Sequence, residues 1–360
     1  PEHIRGGSAY SGYYIEGHGN VTPFDPEGVK LAAGEMVAES GVRLYLHSFF
    51  MDTLVENNRV AGAIILNKSG LQAIRAHVTI DCSADGDVAY KAGAEMDVGR
   101  ESDGRMQPMT MFFRIGGVDE EAVQRYVDEH PEERHCLFNS LIEAMMASGE
   151  WPVNKNHLSV YRSVQPGVYR VNTTRIQGVN GTNVEDLTRA ELEGRRQAFK
   201  LLEIARRRFP GFENAMLIDT AAQIGVRETR RIRGEYKLTY DDLKTGRPFP
   251  DTIALYGYFV DIHNPTGSTT DTYYTANIYH IPYRIMVPVR VDGLLAAGRC
   301  VSATHEAFGA IRVMPCAFAL GQAAGAAAAI AAREAIEPRQ VDIGKLKALL
   351  REQDAVLPPD

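Results

Sequence analysis

Between Leu294 and Gly325 the chain dictates more of its own fold than anywhere else. Leu294-Leu295-Ala296-Ala297 is apolar throughout, as a strand buried on both faces must be, and Gly298-Arg299 ends it. A polar loop follows, then a helix that Pro315 opens, because proline presets φ and surrenders an N–H that the first helical turn leaves unpaired anyway. Gly321-Gln322-Ala323-Ala324-Gly325 continues that helix with glycines four apart on one face, where a neighbouring backbone or a flat ligand can come close. A strand, a glycine turn and a helix in this order point to an open α/β sheet, whose ligands sit beyond the carboxyl ends of the strands.

The N-terminal half has the same texture. Asp25 is an N-cap with Pro26 behind it, and Val29, Ala32, Ala33, Met36 and Val37 follow at helical spacing until Gly41. Val42 to Leu46 is then expected as a strand of a parallel sheet. Phe49–Val55, Arg59–Leu66 and Leu71–Ala76 form a β-meander, separated by Asn57-Asn58 and Asn67-Lys68-Ser69-Gly70. His77 to Cys82 is a further strand that runs straight into Ser83-Ala84-Asp85-Gly86-Asp87.

From Met109 the texture changes. Strand material to Ile115 precedes an acidic helical stretch and a long helix from about Asp186 to Arg208, stopped by Phe209-Pro210-Gly211. Arg206-Arg207-Arg208 closes that helix, where positive charge complements the dipole. Strands return between Ala221 and Val289, so the middle reads as an inserted α+β domain that interrupts α/β material. The expected division is 1–110 with 285–335, an insertion over 111–284, and a tail over 336–360. At 360 residues two cores are anticipated.

Composition narrows the function classes. A net charge of −7 with Lys and Arg scattered among Asp and Glu argues against a nucleic-acid partner. Cys82, Cys136, Cys300 and Cys316 lack C-x-x-C spacing, which argues against structural metal and disulfides and suits a reducing, cytoplasmic setting; a removed signal peptide is left open. The apolar stretch Ala317–Ala332 is shorter than the roughly 20 residues a bilayer needs, so a buried helix is expected and no membrane span.

Three segments, taken in order, resemble the bacterial FAD-dependent oxidoreductase family within the glutathione-reductase-like two-domain flavoproteins. They are Asp81-Cys82-Ser83-Ala84-Asp85-Gly86-Asp87 with Ala92-Gly93-Ala94, similar to the family's D-A-T-G-D-G-D and A-G-A; Ile224 to Tyr236; and Gly298 to Glu306 followed by Arg312-Val313-Met314-Pro315 and Gly321 to Gly325. The resemblance implies an α/β fold in which a three-layer FAD-binding βα domain with a β-meander carries an inserted α+β substrate domain. It also implies FAD as cofactor, a small polar or anionic substrate and hydride transfer to flavin. Asp81, Ser83, Gly86, Asp87, Gly298, Arg299, Ser302, Glu306, Arg312, Val313, Met314, Gly321, Gln322 and Gly325 would then bind the cofactor. The family has Thr-Gly where this chain has Ser83-Ala84, and Ala84 brings a Cβ to a place of close backbone approach.

For the chemistry, Arg227 and Arg230 are candidate anchors because planar guanidinium forks suit anionic oxygens, while Arg231 or Arg233 reads as solvated or ion-paired. His263, His280 and His305 are the acid/base candidates, each of which could equally be structural, with Tyr283 as a substitute proton acceptor. A dinucleotide-binding finger needs strand, G-x-G-x-x-G and helix in one unit, and no such unit stands in this sequence; Gly6-Gly7 and Gly17-His18-Gly19 do not meet the requirement. The sequence therefore reads as incomplete at its N-terminus. Two alternatives follow from that: a catalytically silent binding or assembly subunit that no longer holds FAD, or a flavin-binding fold without net redox turnover. A homo-oligomer is compatible with all three.

Overall fold

The computed structural model describes residues 24–133 and 136–359 as a mixed α/β chain in two compact units. The glycines Gly6, Gly7, Gly17 and Gly19 lie outside the described residues. One unit takes Tyr45–Gln107, Arg227–Asn264 and Thr270–Asp360; the other takes the chain up to Leu44, Pro108–Val226 and Pro265–Thr269.

In the first of these units the meander is present as Phe49–Glu56, Arg59–Asn67 and Gly70–Arg75, all antiparallel. Its tight turn holds Asn57 and Asn58 at φ 49° and 63°, a pair of left-handed residues that asparagine tolerates and that matches the twist of the flanking strands. Leu294–Ala296 pairs in parallel with Thr79–Asp81, with Leu295 opposite Ile80, so strands more than two hundred residues apart in the chain share one sheet. The other named strand pairs are antiparallel, among them Met96–Val98 with Arg230–Ile232, Thr252–Tyr256 with Tyr279–Pro282, and Val260–His263 with Thr270–Tyr273.

The helix anticipated at Pro315 begins one residue earlier and runs Met314–Glu334. By length and composition alone it is long and apolar enough to cross a membrane, more so than the shorter stretch read from the sequence. Its inner face, Cys316, Leu320, Ala323, Ala324, Ala327 and Ala331, belongs to the core cluster of this unit, and the alanines let it pack close on Thr252–Tyr256 and on the parallel pair. The C-terminal helix Ile343–Glu352 buries Leu346 and Leu350 in the same core.

The other unit has a four-stranded antiparallel sheet in the order Val160–Arg162, Tyr169–Val171, Phe113–Gly116, Met216–Thr220. Its long helix is Val184–Arg208, capped by Asn183, whose side chain accepts from the amides of Glu185 and Asp186; Ala190, Ala198, Leu201, Leu202 and Ala205 are buried. A ring cluster of Phe138, Phe209 and Phe212 fills the core beneath.

One expected element is absent. Val42 to Leu46 is not a strand: among the described residues nothing pairs with it, and Val42, Leu44 and Leu46 are more than half exposed. The alternation of Val42, Leu44 and Leu46 with Arg43 and Tyr45 gives strand character, but a strand exists only where a neighbour takes its hydrogen bonds.

Candidate functional site

The first and third motif segments and Arg227–Tyr236 of the second fall in one unit, and they converge. The first builds a turn on its own side chains. Asp81, fully buried, accepts through Oδ1 from the Ser83 amide at 2.9 Å and hydroxyl at 2.6 Å, and through Oδ2 from the Ala89 amide at 2.9 Å. The Ser83 hydroxyl in turn accepts from the Asp87 amide at 2.8 Å. Asp81 and Ser83 thus spend their oxygens locally, holding the strand end against the short helix Asp87–Lys91. The turn passes through left-handed conformations at Ala84 (φ 68°) and Gly86 (φ 67°). At Ala84 the family glycine is missing, and a Cβ in this region costs about 1–2 kcal/mol.

The second and third segments close on Asp85. Its Oδ1 accepts from the Thr229 hydroxyl at 2.7 Å and from Arg299 Nη2 at 3.0 Å, and its carbonyl accepts from Arg230 Nε at 2.9 Å. Arg230 also pairs with Asp87 and lies 4.3 Å over the Tyr90 ring. Arg230 therefore clamps the turn with the Nε–Nη2 edge of its guanidinium. Burial raises the Asp87 carboxyl, against the lowering pull of Arg230 and with help from the Asp85 and Asp81 charges.

Behind this clamp lies a buried ionic centre on Glu228. Its Oε1 accepts from His305 Nδ1 at 2.9 Å and from Arg231, and its Oε2 from the Gln107 amide at 3.1 Å. Burial alone would raise this carboxyl, yet the hydrogen bond and charge of His305, with Arg231, hold it below the usual range. Arg231, 1% exposed, also donates to the carbonyls of Ala303 and Gly99.

Gln107 links this centre to a second one, its Oε1 accepting from the His263 amide at 3.1 Å. There Asp261 accepts from Arg312 Nη2 at 3.0 Å and faces His263 Nε2 at 3.7 Å, while His263 Nδ1 meets the Thr270 hydroxyl at 3.3 Å. Burial works to raise the Asp261 carboxyl, but the His263 hydrogen bond and the charges of Arg312, His263 and Arg227 hold it far below the ordinary carboxylate value. Gln107 Nε2 and Arg312 Nε are buried without a hydrogen-bond partner among the described residues.

In the third segment, Gly298 has φ 90° with open space where a Cβ would stand, and Gly321 and Gly325 face open space likewise. Arg299 Nη1 and the Ser302 hydroxyl are buried and have no partner among the described residues; the Ser302 Cβ backs onto Gly234. Val313 is the N-cap of the long helix, Met314 is half exposed beside it, and Glu306 is half-buried in the first turn of helix His305–Ile311. Gln322 is exposed and reaches toward Gln353.

Two candidates stand apart from these centres. His280 meets the Thr252 hydroxyl at 3.1 Å, and burial followed by the Lys347 charge lowers its pKa. Tyr283 is 2% exposed and donates to the Pro338 carbonyl at 2.8 Å, with burial pushing its phenol far up, so it shares no partner with the motif residues. Conversely, Asp85, Gln107, Glu228, Thr229 and Asp261 join the motif centres without having been singled out. The available signal for Glu228 was a lone acid at i,i+3 from Arg231 in an arginine-rich segment; Gln107 and Asp261 had none. A surface groove of about 710 Å³ along Val184, Thr188 and Leu192 lies in the other unit and contains none of these residues.

The profile of the family described as FAD dependent oxidoreductase matches residues 2–350. The chain belongs to this family. No curated protein matches the sequence. Solved structures with a similar course include a geranylgeranyl bacteriochlorophyll reductase-like protein from Thermoplasma acidophilum (12% identity, TM-score 0.45, 94% of this chain and 62% of that one). The flavin-dependent brominase Bmp2 (12%, 0.40, 98% and 67%) and L-proline dehydrogenase from P. horikoshii (12%, 0.34, 93% and 62%) are similar too. The chain thus spans about 62% of the first of these structures, and likeness at this level decides nothing about chemistry.

FAD is the cofactor of the family, and this chain's residues fit it. Gly298, Gly321 and Gly325 leave room for a flat group, and Arg299 Nη1 is a buried donor in want of an oxygen acceptor.

Proposed function

We propose that this oxidoreductase passes a hydride between a small anionic substrate and FAD. When bound, the flavin supplies a two-electron acceptor that the side chains of this chain lack. The chain's own residues would do the rest. Arg299 and the backbone at Gly298, Gly321 and Gly325 would hold the cofactor, and the helix that starts at Met314 would offer its N-terminal amides to negative charge. Arg227 and Arg312 would draw in the substrate's anionic group, and a histidine of the buried centres would take the proton that leaves the substrate as its hydride departs.

The observation that carries the reading is a donor left over beside Asp261. Arg312 gives Nη2 to the Asp261 carboxylate, while its Nε is buried and lacks an acceptor among the described residues. An anionic substrate would supply one.

The test is spectroscopic. The protein mixed with FAD under anaerobic conditions should bleach near 450 nm when the right hydroxy, amino or saturated carboxylic acid is added, and uncharged analogues should not replace it. A protein that holds FAD but exchanges electrons as readily with neutral substrates as with carboxylates would refute the anionic class. A protein that never binds FAD would instead support a silent subunit.

A further inference from the structure

Glu228 has three donors around it and no role in the reading above beyond its place in the fold. Its side chain is fully buried, and its two oxygens receive His305 Nδ1, Arg231 Nη1 and the Gln107 amide. A carboxylate held ionised can only accept, so the proton between Glu228 and His305 must sit on Nδ1. The other ring nitrogen, Nε2, has no hydrogen-bond partner among the described residues and keeps its lone pair in the neutral ring. When the imidazole gains a second proton, the carboxylate lies 2.9 Å from the cation.

The other two histidines lack this arrangement. His263 has both ring nitrogens engaged, Nδ1 with Thr270 and Nε2 facing Asp261. His280 has only a neutral hydroxyl, from Thr252, on Nδ1.

We infer that Glu228 is a positioning residue that locks His305 in its Nδ1–H tautomer, so that His305 Nε2 is the atom that accepts the substrate's proton. This rests on the hydride-transfer reading, in which that proton leaves the substrate as the hydride goes to the flavin. Backbone geometry supports the lock. His305 opens helix His305–Ile311 behind the N-cap Thr304, whose hydroxyl accepts from the Ala307 amide, and Arg231 grips the preceding carbonyl of Ala303. The ring is therefore fixed by its own helix start and by the carboxylate together.

The experiment uses the full chain with FAD, labelled with ¹⁵N in histidine, with His305→Asn to identify the resonances. At a pH where the ring is neutral, His305 should show a protonated Nδ1 and a bare Nε2. Glu228→Gln should mix the two tautomers. In stopped flow, Glu228→Gln and His305→Asn should each slow flavin reduction about 10² to 10⁴-fold with KM changed less than about threefold, and the double variant should be no slower than His305→Asn. A protonated Nε2 in the unaltered protein overturns the proposal, as does reduction at the wild-type rate in either variant. Should Glu228→Gln fail to fold, the tautomer of the unaltered protein still decides the matter. If no substrate reduces the flavin, the hydride-transfer reading fails, while the tautomer separately tests the Glu228–His305 lock.

Discussion

Asp85 and Arg299 meet at 3.0 Å although 214 positions separate them in the chain. Through this contact, and through Thr229 and Arg230 on the other side of Asp85, the three motif segments become one site. Replacing Asp85 with Asn keeps the shape and removes the charge. Loss of a charge-assisted hydrogen bond is worth about 1.5–3 kcal/mol. Urea denaturation should show a loss of that order, and FAD titration should show weaker binding, because Arg299 is no longer held. Unchanged FAD affinity would mean that Arg299 does not contact the cofactor.

Ala84 stands in a left-handed conformation that favours glycine. Ala84→Gly should relieve about 1–2 kcal/mol of strain. The extra freedom of glycine in the unfolded chain returns about 0.4–1 kcal/mol. The net effect should be a small gain, seen as a rise in Tm of about 1–3 °C. A fall in Tm would show that the turn is not strained there.

Gly321 and Gly325 have nothing in contact where a side chain would stand, so in the protein without cofactor alanine should be harmless. Each glycine-to-alanine change inside a helix favours folding by about 0.5–1 kcal/mol. FAD affinity should nevertheless drop if the open face receives the cofactor. Thermal melts and FAD titrations of the double variant should therefore move in opposite directions, and a stabilised protein with unaltered affinity would rule this face out.

Asp261 gives a pH dependence whose sign is fixed by its depressed carboxyl. The unfolded carboxyl titrates near about 3.9, so the stabilisation by Arg312 and His263 is complete above about pH 4 and is lost as pH falls through the lower, folded value. Asp261→Asn should cost about 3–5 kcal/mol above that point by removing the charge that faces Arg312 and leaving it the Asp261 carbonyl alone. Its Tm deficit should narrow between about pH 4 and pH 2. A deficit that stays constant through that range would mean the carboxylate is not what Arg312 needs.

Arg227 is the anchor to probe by kinetics. Arg227→Met should raise KM for an anionic substrate by roughly tenfold or more, the equivalent of about 1.5–3 kcal/mol, while flavin content stays the same. Loss of flavin before any change in KM would place Arg227 on the cofactor instead.

Much of the fold is local and could be read directly. The Asn57-Asn58 turn, the cap at Asp25, the buried strand Leu294–Ala296 and the helix around Gly321 and Gly325 follow from residue conformation and periodicity, which act over a few neighbours. The motif segments were legible as strings with the right residue types. What they do to one another was not. Whether Arg230 holds a ligand or clamps Asp85 and Asp87 depends on which oxygens the fold brings beside it, and the Asp85 carbonyl and Asp87 carboxylate lie more than a hundred residues away. The same holds for His305, which only the tertiary contact with Glu228 sets apart from His263 and His280. Val42–Leu46 shows the converse limit, a sequence with strand character that pairs with no neighbour among the described residues. Propensity belongs to the residue, whereas pairing, burial and the ionisation of a buried carboxylate belong to its surroundings, and those exist only once the chain has folded.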